Sequence, residues 1–364
     1  MTRHERQILE WIKKDPMISQ ERLAALAGIT RSSVAVHISN LTKKGYIAGK
    51  GYVLRGGKYV AVVGGVNLDV GGRPFSPLVA KDSNPGKVTV SPGGVGRNIA
   101  HNLSLLGVDV RFLTALGDDG FARVITDSCA ELGIDISRAL RIPGGATPTY
   151  VFLNDSDGDM ALAVSDMAIC DSVTPSYLAG NLALLNNAEV VVADANIPAE
   201  SLAFLAGRCT APLFVDPVSA KKAGKLLPVL GKLHTLKPNR LEASLLSGVE
   251  ITGEDTLRLA AKKLLSTGLR RVFISMGAQG VYAAEGETEF FAPPFEAKIK
   301  NTAGAGDAFT AALVWAFMRG TGLSGSCLLA SAAAALNTES ESTVNGALTV
   351  EAMCRKAGMP APEE

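Results

Sequence analysis

No pair among the five cysteines, Cys129, Cys170, Cys209, Cys327 and Cys354, has CxxC spacing or stands beside histidine in a pattern that could form a zinc site or a redox couple. An odd, dispersed set reads as reduced thiols of a cytosolic protein. No stretch reaches about 18 uninterrupted apolar residues, and the opening MTRHERQILEWIKKD carries charges where a secretory signal needs an apolar run. The expectation is a soluble, cytoplasmic protein with no membrane partner. Aromatic residues make up only 5% of the chain, while 38 glycines and a 47% hydrophobic content supply small and aliphatic side chains. That profile excludes disorder and collagen and fits an α/β enzyme rich in Ala, Val, Leu and Gly. Net charge is nearly absent too: the formal value of +1, taken over the whole chain, argues against a nucleic-acid partner.

The even total hides a division. Residues 1–58 hold 11 Lys/Arg against 4 Asp/Glu, net +7, and residues 59–364 hold 25 against 31, net −6. At about 150 residues per domain, a chain of 364 suggests two domains. We read a basic head, residues 1–57, on an acidic body, residues 58–364, joined at a short Gly56-Gly57 hinge, with a polyanion as one partner of the head.

In the head, Ile8, Leu9, Trp11 and Ile12 recur at helical spacing until Pro16 ends the helix. Ser19 is an N-cap for a second helix, Gln20–Ala27, with Leu23, Ala24 and Leu26 inward, and Gly28 turns the chain. Thr30 caps a third helix, Arg31–Lys44, with Val34, Ile38 and Leu41 on one face and Arg31, Ser32, Ser33, His37 and Asn40 on the other. Tyr46 to Leu54 reads as two short strands about a Gly-Lys-Gly tip. This layout resembles the winged helix-turn-helix of bacterial regulators, in which the third helix enters the DNA major groove and the wing touches the backbone. The resemblance implies that Arg31, Ser32, Ser33 and His37 reach base edges or phosphates, with Lys43, Lys44 and Lys50 on the backbone. It also implies a homodimer on two half-sites. The same residues would equally suit a small interaction module whose charges form a solvated face.

From Tyr59 the text changes. Apolar runs at Val60–Gly65, Val190–Ala193, Leu213–Val215 and Val272–Ser275 alternate with helical stretches such as Gly96–Leu106 and Leu257–Thr267, which predicts a mostly parallel sheet covered on both faces. Ligands of such sheets bind outside the carboxyl ends of the strands. Three motifs stand there. Gly64-Gly65-Val66-Asn67-Leu68-Asp69 offers an amide and a carboxylate suited to vicinal hydroxyls, or a turn-capping pair. Pro92-Gly93-Gly94-Val95-Gly96-Arg97-Asn98 is a glycine-rich loop opening a helix, without the GxGxxG spacing of a dinucleotide site. Asn301-Thr302-Ala303-Gly304-Ala305-Gly306-Asp307 precedes an apolar helix, Phe309–Met318; its small residues leave backbone N–H groups for a phosphoryl group. Asp307 at its mouth is either a helix cap or the general base of a kinase.

Together, Gly93-Gly94 with Asn98 and Gly304-Ala305-Gly306-Asp307 resemble the two signatures of the ribokinase/PfkB family of sugar and nucleoside kinases. Asn239-Arg240-Leu241-Glu242 after a Lys-Pro turn, and Ser275-Met276-Gly277-Ala278-Gln279-Gly280, agree with it. The segments around Asp82–Lys87, Pro92–Ala100, Phe214–Ala220 and His234–Ala243 resemble the bacterial pseudouridine-kinase branch of that family.

The resemblance implies a ribokinase-like three-layer α/β sandwich with a small β lid, whose strands are Gly71–Phe75, Lys87–Ser91, Thr149–Leu153 and Met160–Val164. It implies ATP and Mg²⁺ as cofactors, a small nucleoside as substrate, Asp307 as base, and an anion hole from the backbone of Ala303, Gly304, Ala305 and Gly306. Asn67, Asp69, Gly93, Gly94 and Asn98 would hold the ribose; Lys237, Asn239, Ser275, Gly277 and Gly280 would meet ATP; Asn239 and Glu242 would hold Mg²⁺ through water. Asp166 stands where sugar kinases of the family carry another residue, and is a candidate contact to a base N–H. Asn301 and Ala303 depart from the family at positions tied to a monovalent cation, which leaves potassium dependence open. The acidic turn Asn154–Asp159 lacks the closing Glu of a calcium loop and reads as a hairpin tip. Two rival readings stay open: a kinase for another nucleoside or sugar, and a transcription regulator that senses its ligand.

Overall fold

In the computed structural model, which describes residues 1–15, 18–47, 58–155 and 160–362, hydroxyl side chains open the helices of an N-terminal unit, Met1–Lys58. Thr2 forms a capping box with Glu5 at the start of Arg3–Lys14, Ser19 Oγ accepts the Arg22 N–H at the start of Gln20–Ala27, and Thr30 Oγ1 accepts the Ser33 N–H at the start of Arg31–Lys43. Each such cap satisfies a backbone donor that the helix itself cannot, a contribution of about 1 kcal/mol. Gly28 ends the second helix in the left-handed region. Ile8, Ile12, Leu23, Val34 and Leu41 close a small core with Ile18 and Ile47. Leu26, expected inward, is exposed; Ile29, beyond the Gly28 turn, packs on the core instead. The expected wing tip with Lys50, and the Gly56-Gly57 hinge, lie outside the described residues.

The second unit, Tyr59–Glu364, is built on an eight-stranded sheet. Its strand order is Thr288–Ala292, Val281–Glu285, Arg271–Ser275, Thr235–Leu236, Leu213–Asp216, Val190–Asp194, Tyr59–Val63 and Asp109–Leu113. Neighbours are parallel except for Val281–Glu285, which runs antiparallel to both of its own. The central strands are buried along their whole length because both faces are covered. Val60, Val62, Val190 and Val192 face a helix layer that supplies Ile99, Leu103, Ala312 and Trp315. Ala61, Val63, Val191 and Ala193 face a second layer with Leu178, Leu202, Leu226 and Leu264. Burying each large aliphatic side chain contributes roughly 1.5–3 kcal/mol, so the alternation along each strand fixes both layers at once. Among the described residues no helix is long and apolar enough to cross a membrane.

Beyond Val63 the chain runs through Gly64-Gly65-Val66 into the strand Asn67–Pro74 of a separate four-stranded sheet, ordered Gly86–Gly93, Asn67–Pro74, Thr149–Asn154, Met160–Asp166. All four expected lid strands are there, each a little longer than the alternation predicts. Register aligns Val90, Val70, Val151 and Val164 in one row, and Leu153 with Leu162 in the next. Asp69, one residue from Val70, projects from the opposite face.

Candidate functional site

Parallel strands share a carboxyl edge, and on this sheet that edge carries charge. Asp194 and Asp216 end adjacent strands in register, and Lys237 follows the next strand, its backbone N–H on Val215 O at 3.2 Å. Asp307 joins them from the helix Ala305–Met318. This helix begins a turn before the expected Phe309, because Ala305 and Gly306 are small enough to enter it, so Asp307 stands inside the first turn. The Asn98 side-chain amide donates to Asp307 Oδ2 at 2.9 Å. Burial, reinforced by the nearby Asp216 carboxylate, pushes the Asp307 carboxyl up to about 8, against the pull of Asn98 and Lys237. Asp216 takes the Lys237 ammonium at 2.9 Å and the Thr310 hydroxyl at 3.2 Å. Burial alone would lower the ammonium, yet Asp216 holds Lys237 above the ordinary lysine value. Asp194 accepts N–H groups from Gly65 at 2.9 Å and Asn196 at 2.8 Å, and burial raises its carboxyl.

On the lid side the Asn67 amide donates to Asp69 Oδ1 at 2.6 Å, so the two candidate hydroxyl ligands form one unit. Gly93 pairs with Asn67 across the sheet, and a Cβ on it would lie 2.1 Å from Asp69 Oδ2. Gly94, at φ +96°, passes so close to Val66 that a Cβ would sit 2.6 Å from its Cα. These two glycines are therefore required by close packing at the glycine-rich loop. Arg97 is buried and donates to Pro92 O at 3.1 Å and Ser128 Oγ at 2.8 Å, bracing that loop from behind. Asn98 Oδ1 is buried and has no hydrogen-bond partner among the described residues. Asp166 ends the lid's edge strand, exposed, its Oδ1 3.4 Å from the Ala168 N–H, and no hydrogen bond joins it to Asp307 among the described residues.

At the helix start, Gly304 adopts φ +78° and its Cβ position falls 1.9 Å from Thr343 O. The Gly304 and Gly306 N–H groups meet no acceptor among the described residues, whereas the Ala305 N–H makes a long bond to Thr302 O at 3.4 Å. Ala303, expected to be a fourth anion-hole donor, does not fit: its N–H is taken by Asn301 Oδ1 at 2.9 Å, because the short Asx turn folds back on itself. The Asn301 amide donates to Glu341 O at 3.0 Å, and the fully buried Asn337 amide donates to Ala303 O at 3.2 Å and Thr343 O at 3.0 Å. Amide N–H groups thus tie together the carbonyl oxygens of these two loops without an ion.

Asn239 and Glu242 cap the helix Arg240–Ser247 reciprocally, the Asn239 N–H on Glu242 Oε2 at 2.8 Å and the Glu242 N–H on Asn239 Oδ1 at 2.9 Å. Glu242 is buried rather than a surface residue. It forms no salt bridge among the described residues; burial raises its carboxyl while the nearby Lys237 ammonium pulls the other way, and a buried carboxylate at this edge suits a hydrated divalent cation. Ser275 is bridged to Asn239, and its N–H donates to Pro238 O at 3.0 Å, which brings the Ser275–Gly280 loop to the same edge. Gly277 and Gly280 both hold positive φ there. Met276 and Gln279 of that loop line a cavity of about 580 Å³ with Arg240, Ile251, Tyr282 and Phe291.

In the head, Arg31 is exposed and pairs with Glu21 at 3.0 Å. Ser32 and Ser33 lie 2.9 Å from the capping hydroxyl of Thr30. His37 is half-buried and stacks on His4, with ring centroids 5.7 Å apart, and Lys44 is drawn to the buried Glu5 at 2.8 Å.

Sequence reading passed over Asp194, Asn196, Thr310 and Asn337 and quoted Asp216 without a role. Asp194 and Asp216 could have been found, since each is the first charged residue after an apolar strand, where ligands gather.

Comparison with known proteins agrees with this geometry. The sequence model of the pfkB family carbohydrate kinases matches residues 58–350, and that of a winged helix-turn-helix DNA-binding family matches residues 1–48. The chain is 37% identical over 354 residues to the uncharacterized sugar kinase YeiI of Escherichia coli (strain K12), covering 96% of this chain and 98% of that protein. It is 39% identical over 295 residues to the pseudouridine kinase of the same organism, covering 80% and 94%. A solved carbohydrate kinase from Agrobacterium tumefaciens superposes with a TM-score of 0.74 at 28% identity, covering 83% and 97%.

Proposed function

The chain belongs to the pfkB family of carbohydrate kinases, and from that premise we propose that it transfers the γ-phosphoryl group of ATP to the 5′-hydroxyl of pseudouridine, with a DNA-binding head at residues 1–57. The observation that carries this reading is the Asn98–Asp307 hydrogen bond at 2.9 Å, which joins the substrate loop to the buried carboxylate at the start of the anion-hole helix. Asn67, Asp69, Gly93, Gly94 and Asn98 bind the ribose so that its 5′-hydroxyl faces Asp307. Asp307 accepts the proton as the hydroxyl oxygen bonds to the γ-phosphorus and the bond from that phosphorus to the bridging oxygen of ADP breaks, and the N–H groups of Gly304 and Gly306, with that of Ala305 turned from its long bond to Thr302 O, take up the charge that builds on the transferring group. Lys237, Asn239, Ser275, Gly277 and Gly280 meet the nucleotide. Asn239 and Glu242 would hold Mg²⁺ through water, and the ion would neutralise phosphate charge.

Substrate identity rests on Asp166, whose carboxylate accepts the second ring N–H that pseudouridine offers and uridine lacks. ADP release measured over pseudouridine, uridine, inosine, adenosine, ribose and fructose 6-phosphate tests this. The expected result is the highest kcat/KM for pseudouridine, with the preference over uridine lost in Asp166→Ala. A different best acceptor moves the reading to another nucleoside or sugar kinase. Flat responses move it to a regulator that only senses its ligand.

The 1–48 match favours DNA as the head's partner, contacted by Arg31, Ser32, Ser33, His37 and Lys50. Two copies suit a two-half-site operator, and the outer face of the lid, with Val88, Val90, Val151, Leu153, Leu162 and Val164 all exposed, supports a homodimer. Operator affinity measured with and without pseudouridine tests whether the body signals to the head.

A further inference from the structure

At the end of the strand Leu213–Asp216 the backbone is strained. Val218 holds φ +68°, a left-handed conformation that a β-branched residue rarely adopts. The bend brings its N–H onto Asp216 Oδ1 at 2.8 Å, which turns Oδ2 toward two other donors. One is the Lys237 ammonium at 2.9 Å; the other is the Thr310 hydroxyl at 3.2 Å, on the helix that carries Asp307. The single Thr310 proton is shared between Asp216 Oδ2 and Gly306 O of the same helix, the latter at 3.0 Å. All three side chains are buried. Lys237 lies so close to the helix that a Cβ on Gly306 would be 2.7 Å from its Nζ.

From this geometry we infer that Asp216 is a positioning residue for phosphoryl transfer, fixing the Lys237 ammonium against Gly306 of the anion hole and tying it through Thr310 to the helix of the base. The inference rests on the kinase reading. A lysine has a flexible four-carbon stem, and an ammonium is a point charge whose effect depends on where it is held. Asp216 removes that freedom, so the cation stands beside the amides before any phosphate arrives, and no reorganisation is needed as charge develops. A pair that served only the fold would need neither a strained turn nor a link to the anion-hole helix, and buried ion pairs are weak contributors to stability in any case.

The test uses the full-length protein with Asp216→Asn, Lys237→Met, the double variant and Thr310→Val, read by kcat, by KM for the nucleoside and by melting temperature. Asp216→Asn is expected to lower kcat by about 30-fold or more. Its nucleoside KM should stay within about threefold, because the lid contacts are untouched. The double variant should be no slower than Lys237→Met alone, since the two act as one unit. Thr310→Val keeps the pair and cuts its tie, and should lower kcat by about three- to tenfold. A folded Asp216→Asn within about threefold of wild type overturns the inference, as does multiplication of the two single losses. If Asp216→Asn does not fold, an unchanged kcat in Thr310→Val overturns it. A wild type that phosphorylates none of the acceptors overturns the kinase reading and this inference with it.

Discussion

The Asn98 side-chain amide and the Asp307 carboxylate meet at 2.9 Å across 209 residues of sequence. One partner stands on the first turn of the helix Val95–Leu105 behind the glycine-rich loop, the other on the first turn of Ala305–Met318. The bond leaves Asn98 Oδ1 buried and without a partner among the described residues. Two helix starts thus converge on one point, which is what in-line transfer between two bound substrates requires.

Replacing Asp307 by Asn keeps the shape and removes the proposed base. Positioned proton transfer contributes roughly 10²–10⁴-fold, and kcat should fall by about that factor. The variant should melt no lower than wild type, because a buried carboxyl held near 8 is unfavourable when ionised. A folded variant with near-normal kcat removes Asp307 from the mechanism.

The pH dependence follows from the same residue with opposite signs for rate and stability. As a base Asp307 works only when deprotonated, so kcat/KM of the free enzyme should rise with pH through a limb centred at about 8. Asn98→Ala removes a hydrogen bond that favours the charged form and should move the limb upward; Asp216→Asn removes a repelling charge and should move it down. For folding, the native state keeps the proton that the unfolded chain releases near 3.8, so the group's contribution to stability is full below that value and is lost as pH rises toward about 8. Melting temperatures across this window should decline less in Asp307→Asn than in wild type.

Gly304 tests the anion hole through the backbone. At φ +78°, with Thr343 O 1.9 Å from the position of a Cβ, alanine would combine left-handed strain with a clash against backbone. Gly304→Ala should cost about 2 kcal/mol or more in stability and abolish turnover. Gly207, helical and with nothing within 4 Å of its Cβ position, is the control. Gly207→Ala should stabilise by about 0.5–1 kcal/mol and leave kcat unchanged, as calorimetry and ADP release can check.

Local physics made much of the architecture legible. Short apolar runs predicted strands such as Val190–Asp194, since both faces of the sheet are buried, and single hydroxyls marked the starts of the head helices. Asp307 stood out because small residues before an apolar helix expose amides. What sequence could not supply is pairing over distance: the Thr310–Asp216 bond spans 94 residues and the Asn98–Asp307 bond 209. Ala303 was misread for a local reason, because its N–H satisfies the Asn301 carbonyl instead of facing outward. Asn239 and Glu242 form a capping box and are also the proposed holders of the cation, and spacing alone does not separate the two roles.

The two asparagines beside the anion hole lead to the last prediction. Asn301 and Asn337 donate amide N–H groups to the carbonyls of Glu341, Ala303 and Thr343, joining the loop before Gly304 to the loop at Thr343 that packs on it. The two loops are thus already tied by donors that require no ion. At constant ionic strength, kcat should therefore differ by less than about twofold among potassium, sodium and tetramethylammonium salts, and potassium should not raise the melting temperature. Asn301→Asp replaces the donor by a carboxylate, leaving Glu341 O without its partner and adding a charge that an ion can balance. That variant should lose activity in tetramethylammonium and regain part of it in potassium. Strong potassium activation of the wild type would mean that the amides are not the tie between the loops.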